Sequence, residues 1–133
     1  MSVLDSSTYV EALTSATARG HAARKAVAGR WTWHAPAILP AEVLSAIRGL
    51  VLGGQLATSR AERARRRLAT SRVVLHPFAP YAERAWELRN NLTVYDAWYV
   101  ALAERLDTAL VTTDARLAGA TGIRCSIERI GHD

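Results

Sequence analysis

Five short apolar runs recur along this chain with helix-patterned sequence between them, and that alternation is its tightest constraint. The runs are "SVLD", "WTWHAPAIL", "RVVLHPF", "TALVTTD" and "IRCSIERI". Each is the length of a strand rather than of a buried helix. Between them, "SSTYVEAL" opens on small hydroxyl residues suited to capping a helix. The Ala-rich stretch from Thr14 to Arg30 continues helical as far as Gly29, and Pro40 suits the first turn of the next helix. That helix carries Val43, Leu44, Ile47, Leu50 and Val51 at helical spacing and stops at Gly53 and Gly54. Further helices are expected over 59 to 70, 80 to 91 and 93 to 107, with a short one after Asp114. The helix over 93 to 107 places Tyr95, Trp98, Tyr99, Leu102 and Leu106 on one stripe. Strands alternating with helices predict an α/β domain: a mainly parallel central sheet of about five strands with helices on both faces. At 133 residues, half of them hydrophobic, residues 1 to 133 are expected to share one core.

The totals bound function only loosely. No apolar run reaches membrane-spanning length and the N-terminus lacks the pattern of a secretory signal, so the expected location is cytoplasmic. A lone Cys125 can neither close an internal disulfide nor anchor zinc, and reads as a small buried hydrophobe in the last strand. The net charge of +5 and pI near 10.1 suggest an anionic partner. Sixteen of the seventeen basic residues are arginine, in an alanine-rich chain, so coding bias accounts for part of that balance.

Four acids sit where apolar runs give way to turns. Asp5 ends the first strand, Glu42 lies in the first turn of the helix after the second, Asp96 opens the helix over 93 to 107, and Asp114 ends the fourth strand. Each has a structural explanation: Asp5 and Asp114 as helix caps, Glu42 as a carboxylate facing a helix dipole, and Asp96 as the acid of a capping box begun by Thr93. Together they fall at the carboxyl ends of the strands, where sites form in parallel sheets. Convergence would require a raised pKa or a cation between them. Oxygen-only ligation suits Mg²⁺ or Mn²⁺ rather than zinc. His21, His34, His76 and His132 show no metal spacing and read as surface or strand-end residues.

A carboxylate-held Mg²⁺ can lower the pKa of a water and stabilise charge on a phosphoryl oxygen, as phosphodiester hydrolysis requires. Arginines would then neutralise substrate phosphates, and "RAERARRR", residues 60 to 67, is the densest group. Trp31, Trp33, Trp86 and Trp98 could stack on bases, but packing in the core is the simpler expectation.

The segments "SVLDSS", "PAEVLSAI", "YDAWYVALAERL" and "LVTTDARL", in that order and spacing, resemble the PIN-domain ribonucleases, and among them the VapC toxins of type II toxin–antitoxin pairs. The third segment is the most specific. The resemblance implies a PIN-like three-layer α/β/α fold and an endoribonuclease dependent on Mg²⁺ or Mn²⁺. It carries the acidic site onto Asp5, Glu42, Asp96 and Asp114, with Asp5 and Asp96 the most secure ligands and Thr112 as a hydroxyl partner. Where such toxins often have an Asn one helical turn after the glutamate, this chain has Ser45. The resemblance also implies an RNA substrate, tRNA or rRNA, a homodimer, and a cognate VapB antitoxin forming a higher-order complex. Arg84, Arg89 and Arg116 are candidate contacts to RNA or to the antitoxin, alongside a solvated-face role. Two rival readings stay open: a PIN nuclease of RNA maturation, and a non-catalytic basic binding module whose acids are only caps.

Overall fold

A computed structural model describes residues 1 to 30 and 32 to 131. The chain runs β1 (Ser2–Leu4), α1 (Ser6–Thr14), α2 (Ala18–Ala28), β2 (Trp33–Pro36), α3 (Leu39–Leu52), α4 (Thr58–Ala69) and β3 (Val74–His76). A 3₁₀ turn (Ala79–Tyr81) then leads into α5 (Ala82–Glu87), α6 (Val94–Arg105), β4 (Leu110–Thr112), α7 (Ala115–Ala118) and β5 (Ile127–Arg129). The five strands form one sheet in the order β3-β2-β1-β4-β5, every neighbouring pair parallel. β1 is central, with Val3 opposite both His34 and Leu110, and all of Ser2 to Leu4 is buried. A strand covered on both faces has no polar face to alternate with, which is why "SVL" is unbroken.

The helices form two groups. α1 packs with α2, α3 and α4, whereas α6 lies against β1, β2, β4 and α5. Sequence reading gave α6 one apolar stripe, but Ala97 through Ala103 are all buried. The run Ala97, Ala101 and Ala103 explains the difference: alanines let neighbouring backbones approach α6 on sides where larger side chains would hold them off. Tyr95 leaves the expected stripe and is 57% exposed, because it sits in the first turn at the carboxyl edge of the sheet.

Several expected boundaries shift. The helical stretch from Thr14 to Arg30 is broken at Ser15 to Thr17, so Thr14 ends α1 and α2 begins at Ala18. Gly20 is needed there, since a Cβ would lie 2.1 Å from the Ser15 carbonyl oxygen. The strand of 31 to 39 narrows to Trp33–Pro36, the expected helix of 80 to 91 is a 3₁₀ turn followed by α5, and Gly54 takes φ +73° just past α3. Cys125 precedes β5 and is half-buried, and burial raises its thiol pKa to about 11. Trp33 and Trp98 join the core as expected, but Trp86 is 63% exposed on α5. Trp31 and His132 lie outside the described residues.

Leu102 is fully buried in α6. Leu102→Ala should cost about 2–5 kcal/mol of stability by leaving a cavity in a helix walled on all sides, as measured by denaturant unfolding.

Candidate active site

In the order β3-β2-β1-β4-β5 the chain direction of winding changes between β1 and β4, and the crevice at their carboxyl ends is where ligands bind in parallel sheets. Asp5 follows β1 directly, and Asp114 follows β4 after one residue. Both are helix caps, as their positions suggest. Asp5 Oδ1 accepts from the Thr8 N–H at 2.9 Å and the Ser7 hydroxyl at 2.8 Å. Asp114 Oδ1 accepts from the Arg116 N–H at 2.9 Å.

Thr112 ties the two together. Its hydroxyl donates to Asp5 Oδ2 and accepts from the Asp114 N–H at 2.9 Å. A second link joins the Thr113 and Ser7 hydroxyls at 2.9 Å, and the Thr8 hydroxyl donates to the Val111 carbonyl at 3.3 Å. Asp5 is thus buried among hydroxyls and a peptide N–H, without an ion pair among the described residues. Burial raises its pKa, and the hydrogen bonds from Thr112, Thr8 and Ser7 oppose the rise.

Glu42, in the first turn of α3, accepts from the Tyr99 hydroxyl at 2.6 Å. This bond joins α3 to α6 across the two helical groups. Burial raises the Glu42 pKa, and the charges of Asp96 and Asp5 add to the rise. Tyr99 is itself pushed above its ordinary pKa by burial and by Glu42, so it stays a neutral donor. On α6 the Thr93 hydroxyl accepts from the Asp96 N–H at 3.1 Å, making the expected cap. Burial raises the pKa of half-buried Asp96, Thr93 opposes it, and the charge of Asp114 adds. Asp114 differs: Arg116, donating Nη2 to Oδ2 at 2.9 Å, holds its carboxyl below the usual range.

Glu42 thus feels the charges of Asp96 and Asp5, and Asp96 that of Asp114. Among the described residues, however, no three His, Cys, Asp or Glu side chains already stand as a group able to hold a metal ion. The donor chemistry fits a hard divalent cation nonetheless. Every group is a carboxylate, and Asp5, Glu42 and Asp96 each carry a raised pKa with no ion-paired partner among the described residues. Beside Glu42 lies an open cleft of about 500 Å³ lined by Ser6, Ile38, Ser45 and Tyr95. Ser45 is exposed on the next turn of α3 and joins this lining.

Other expected contacts sit elsewhere. Arg84 donates Nε to Glu104 at 2.7 Å, Nη1 to Glu87 at 3.1 Å and Nη2 to the Gly122 carbonyl at 2.8 Å. Its guanidinium is spent tying α5, α6 and the 122 loop together, and Glu104 is half-buried in that tie. Arg89 lies over the exposed Trp86 ring at 4.6 Å, and Arg116 is engaged with Asp114. His34 and His76, on neighbouring strands, face each other at 2.8 Å from Nδ1 to Nε2, and burial lowers both pKa values. Tyr99 is the residue that sequence reading missed: its place three residues after Asp96 was visible, but its aromatic ring read as core.

Comparison with known proteins agrees with this geometry. The PIN domain family model matches residues 2–122. Ribonuclease VapC1 of Mycobacterium tuberculosis is 42% identical over 98 residues, covering 73% of this chain and 74% of that protein. Ribonuclease VapC12 of the same organism is 37% identical over 130 residues, covering 98% and 99%. Among solved structures, M. tuberculosis VapC20, a sarcin-ricin loop cleaving toxin, superposes with TM-score 0.67 at 18% identity over 93% of this chain and 99% of that one. FitAcB from Neisseria gonorrhoeae gives 0.70 at 18% identity, with 97% of each chain covered. The fold is that of a PIN domain. The chain belongs to that family and, within it, to the VapC ribonucleases.

Two outcomes test the site. Thr112→Val keeps the shape but removes the donor to Asp5 and the acceptor for the Asp114 N–H, and should cost about 1–3 kcal/mol in unfolding free energy. For Asp96, a raised folded pKa means its stabilising contribution is present at low pH and is lost as pH rises from about 4 through the folded value. Asp96→Asn removes that loss, so in EDTA its melting temperature relative to the parent should climb between about pH 4 and 7.

Proposed function

We propose that the protein is the toxin of a VapBC pair, an endoribonuclease that needs Mg²⁺ or Mn²⁺ and is silenced by a cognate VapB antitoxin. The observation that carries this reading is the carboxyl edge of the sheet, where Thr112 joins Asp5 to the turn of Asp114 and where Glu42 and Asp96 open the helices α3 and α6, in a chain of net charge +5. Relatives at 37 to 42% identity are ribonucleases by name, and the solved neighbours include the FitAB pair bound to a DNA fragment.

Asp5, Glu42, Asp96 and Asp114 would hold the ion, which supplies an activated water and charge stabilisation at the phosphoryl group. The chain's own residues do the positioning. Thr112 fixes the Asp5 carboxylate and the turn that carries Asp114. Tyr99 orients Glu42, and the rise in its own pKa keeps it a donor while Glu42 is charged. Arg116 lies over Asp114 and is 85% exposed, free to exchange that carboxylate for a substrate phosphate. Tyr95, exposed in the cleft beside Glu42, offers a ring face to a base. In-line attack by water at phosphorus would break the P–O3′ bond, the 3′-oxygen leaving as a hydroxyl and the phosphate staying on the 5′-oxygen.

The apolar clefts on α3 and α4, about 490 and 520 Å³ and bordered by exposed Leu44, Leu52 and Leu75, favour partner helices and so the antitoxin and a homodimer.

The experiment is cleavage of total RNA by the purified protein with Mn²⁺, Mg²⁺ or EDTA, beside Asp96→Asn, with the new ends mapped. Discrete cuts that need metal and Asp96 are expected, and 2′,3′-cyclic phosphate ends would count against the mechanism. Tyr95→Ala should lower kcat/KM about 5-fold to 150-fold, the worth of about 1–3 kcal/mol for one stacked base, without moving the melting response to Mn²⁺.

A further inference from the structure

At the far end of α1 from Asp5, four arginines line one cleft. A cleft of about 430 Å³ between α1, α2 and α4 is lined by Ser15, Arg24, Arg60, Arg63 and Arg67, and no Asp or Glu lines it. Two of these side chains are pinned. Arg24 Nη1 donates to the Ser15 carbonyl at 2.7 Å and to that of Ala12 at 3.3 Å, while Arg60 Nη2 donates to the Thr14 carbonyl at 2.8 Å. These bonds satisfy the last carbonyls of α1, a helix with no basic residue of its own in the last turn.

Capping accounts for Arg24 and Arg60 but not for the other two. Arg63 and Arg67 follow Arg60 at helical spacing on the same face of α4, and both are exposed. Among the described residues neither makes a side-chain hydrogen bond or an ion pair. Arg65, on another face of α4, is by contrast paired with Glu62 at 2.9 Å. The negative end of the α1 dipole amounts to about half a charge, far short of four guanidiniums. Two fixed guanidiniums with two uncommitted ones beside them make a preorganised set of N–H donors for phosphate oxygens.

We propose that this arginine cradle is a second phosphate-binding site, which grips the RNA backbone away from the point of cleavage. The assignment of RNA as the ligand rests on the ribonuclease reading above. α1 has nine residues, so the cradle stands one helix length, about 13 Å, from Asp5, or roughly four stacked nucleotides. The cradle selects for substrates that extend past the acidic crevice and carries no base readout of its own.

The test is fluorescence anisotropy of the intact protein on a labelled single-stranded RNA of about 20 nucleotides, in EDTA so that nothing is cut, across a series of salt concentrations. Arg63→Ala/Arg67→Ala is compared with Arg66→Ala/Arg72→Ala, which removes the same charge outside the cradle. The cradle variant should lower the slope of log affinity against log salt by about 1.4, two single-strand phosphates at about 0.7 each, and the control by clearly less. Melting curves check that both variants fold, and Arg63→Gln/Arg67→Gln replaces the alanine pair if it does not. Equal slopes for the two variants would overturn the cradle. So would unchanged RNA binding together with weakened binding of a Glu-rich peptide, which would give the cleft to a protein partner. Because binding is read without cleavage, a protein that cuts no RNA but shows the expected slopes fails the ribonuclease reading while keeping the phosphate site.

Discussion

The hydroxyl of Thr112 holds the molecule's functional end together. A carboxylate as buried as Asp5 is costly unless it is hydrogen-bonded, and the fold meets that cost with neutral donors rather than an arginine. The choice has a chemical consequence. A neutralising guanidinium would have occupied the lone pairs and cancelled the charge, whereas hydroxyls orient the carboxylate and leave its charge for a cation. Because the same Thr112 oxygen accepts the Asp114 N–H, the spacing of the two acids is set by backbone already locked into adjacent parallel strands.

Around that fixed pair, the remaining two acids are held more loosely and from farther away in the chain. Glu42 leans on Tyr99, and Asp96 sits in the first turn of the most buried helix of the fold. Burial raises both pKa values, and the charges of Asp96 and Asp5 add to the rise at Glu42 while that of Asp114 adds to the rise at Asp96. Among the described residues Arg116 is the one cation ion-paired with any of the four, through Asp114, and its charge also reaches Asp96. Relief of repulsion is thus left incomplete by the chain itself.

The sheet and the positions of the acids were legible because both depend on local signals. Short apolar runs bounded by turns identified all five strands, and Asp5 and Asp114 announced themselves by ending two of them. What stayed hidden depends on tertiary packing. Tyr99 looked like core because its ring is core, and only its hydroxyl belongs to the site. Tyr95 fitted the same apolar stripe, yet the first turn of α6 reaches past the sheet edge and leaves it exposed. Arg84 looked like a free surface charge because its partner Glu104 is twenty residues away in sequence and one helix away in space. The reading of Asp5 and Asp114 as caps was also right, and it did not compete with the reading of them as a site. Each cap fixes the carboxylate through Oδ1 at a helix N-terminus, while Oδ2 meets Thr112 in Asp5 and Arg116 in Asp114.

That division between committed and uncommitted groups also decides what the positive charge of this protein means. Arg30 and Arg84 hold strands and helices in place through Glu128 and Glu104, and Arg65 answers Glu62 on its own helix. Each pair adds nothing to the field felt by a polyanion, because the guanidinium and its carboxylate cancel at a distance. Arg63 and Arg67 have no such partner among the described residues, and the carbonyls that pin Arg24 and Arg60 remove their mobility without removing their charge. On the proposed reading the cradle would hold a nucleic acid at one end of α1 while the acidic crevice lies at the other. A strand of RNA held there would meet a crevice that repels it until a divalent ion reversed the local sign, so the ion would serve productive binding as well as chemistry.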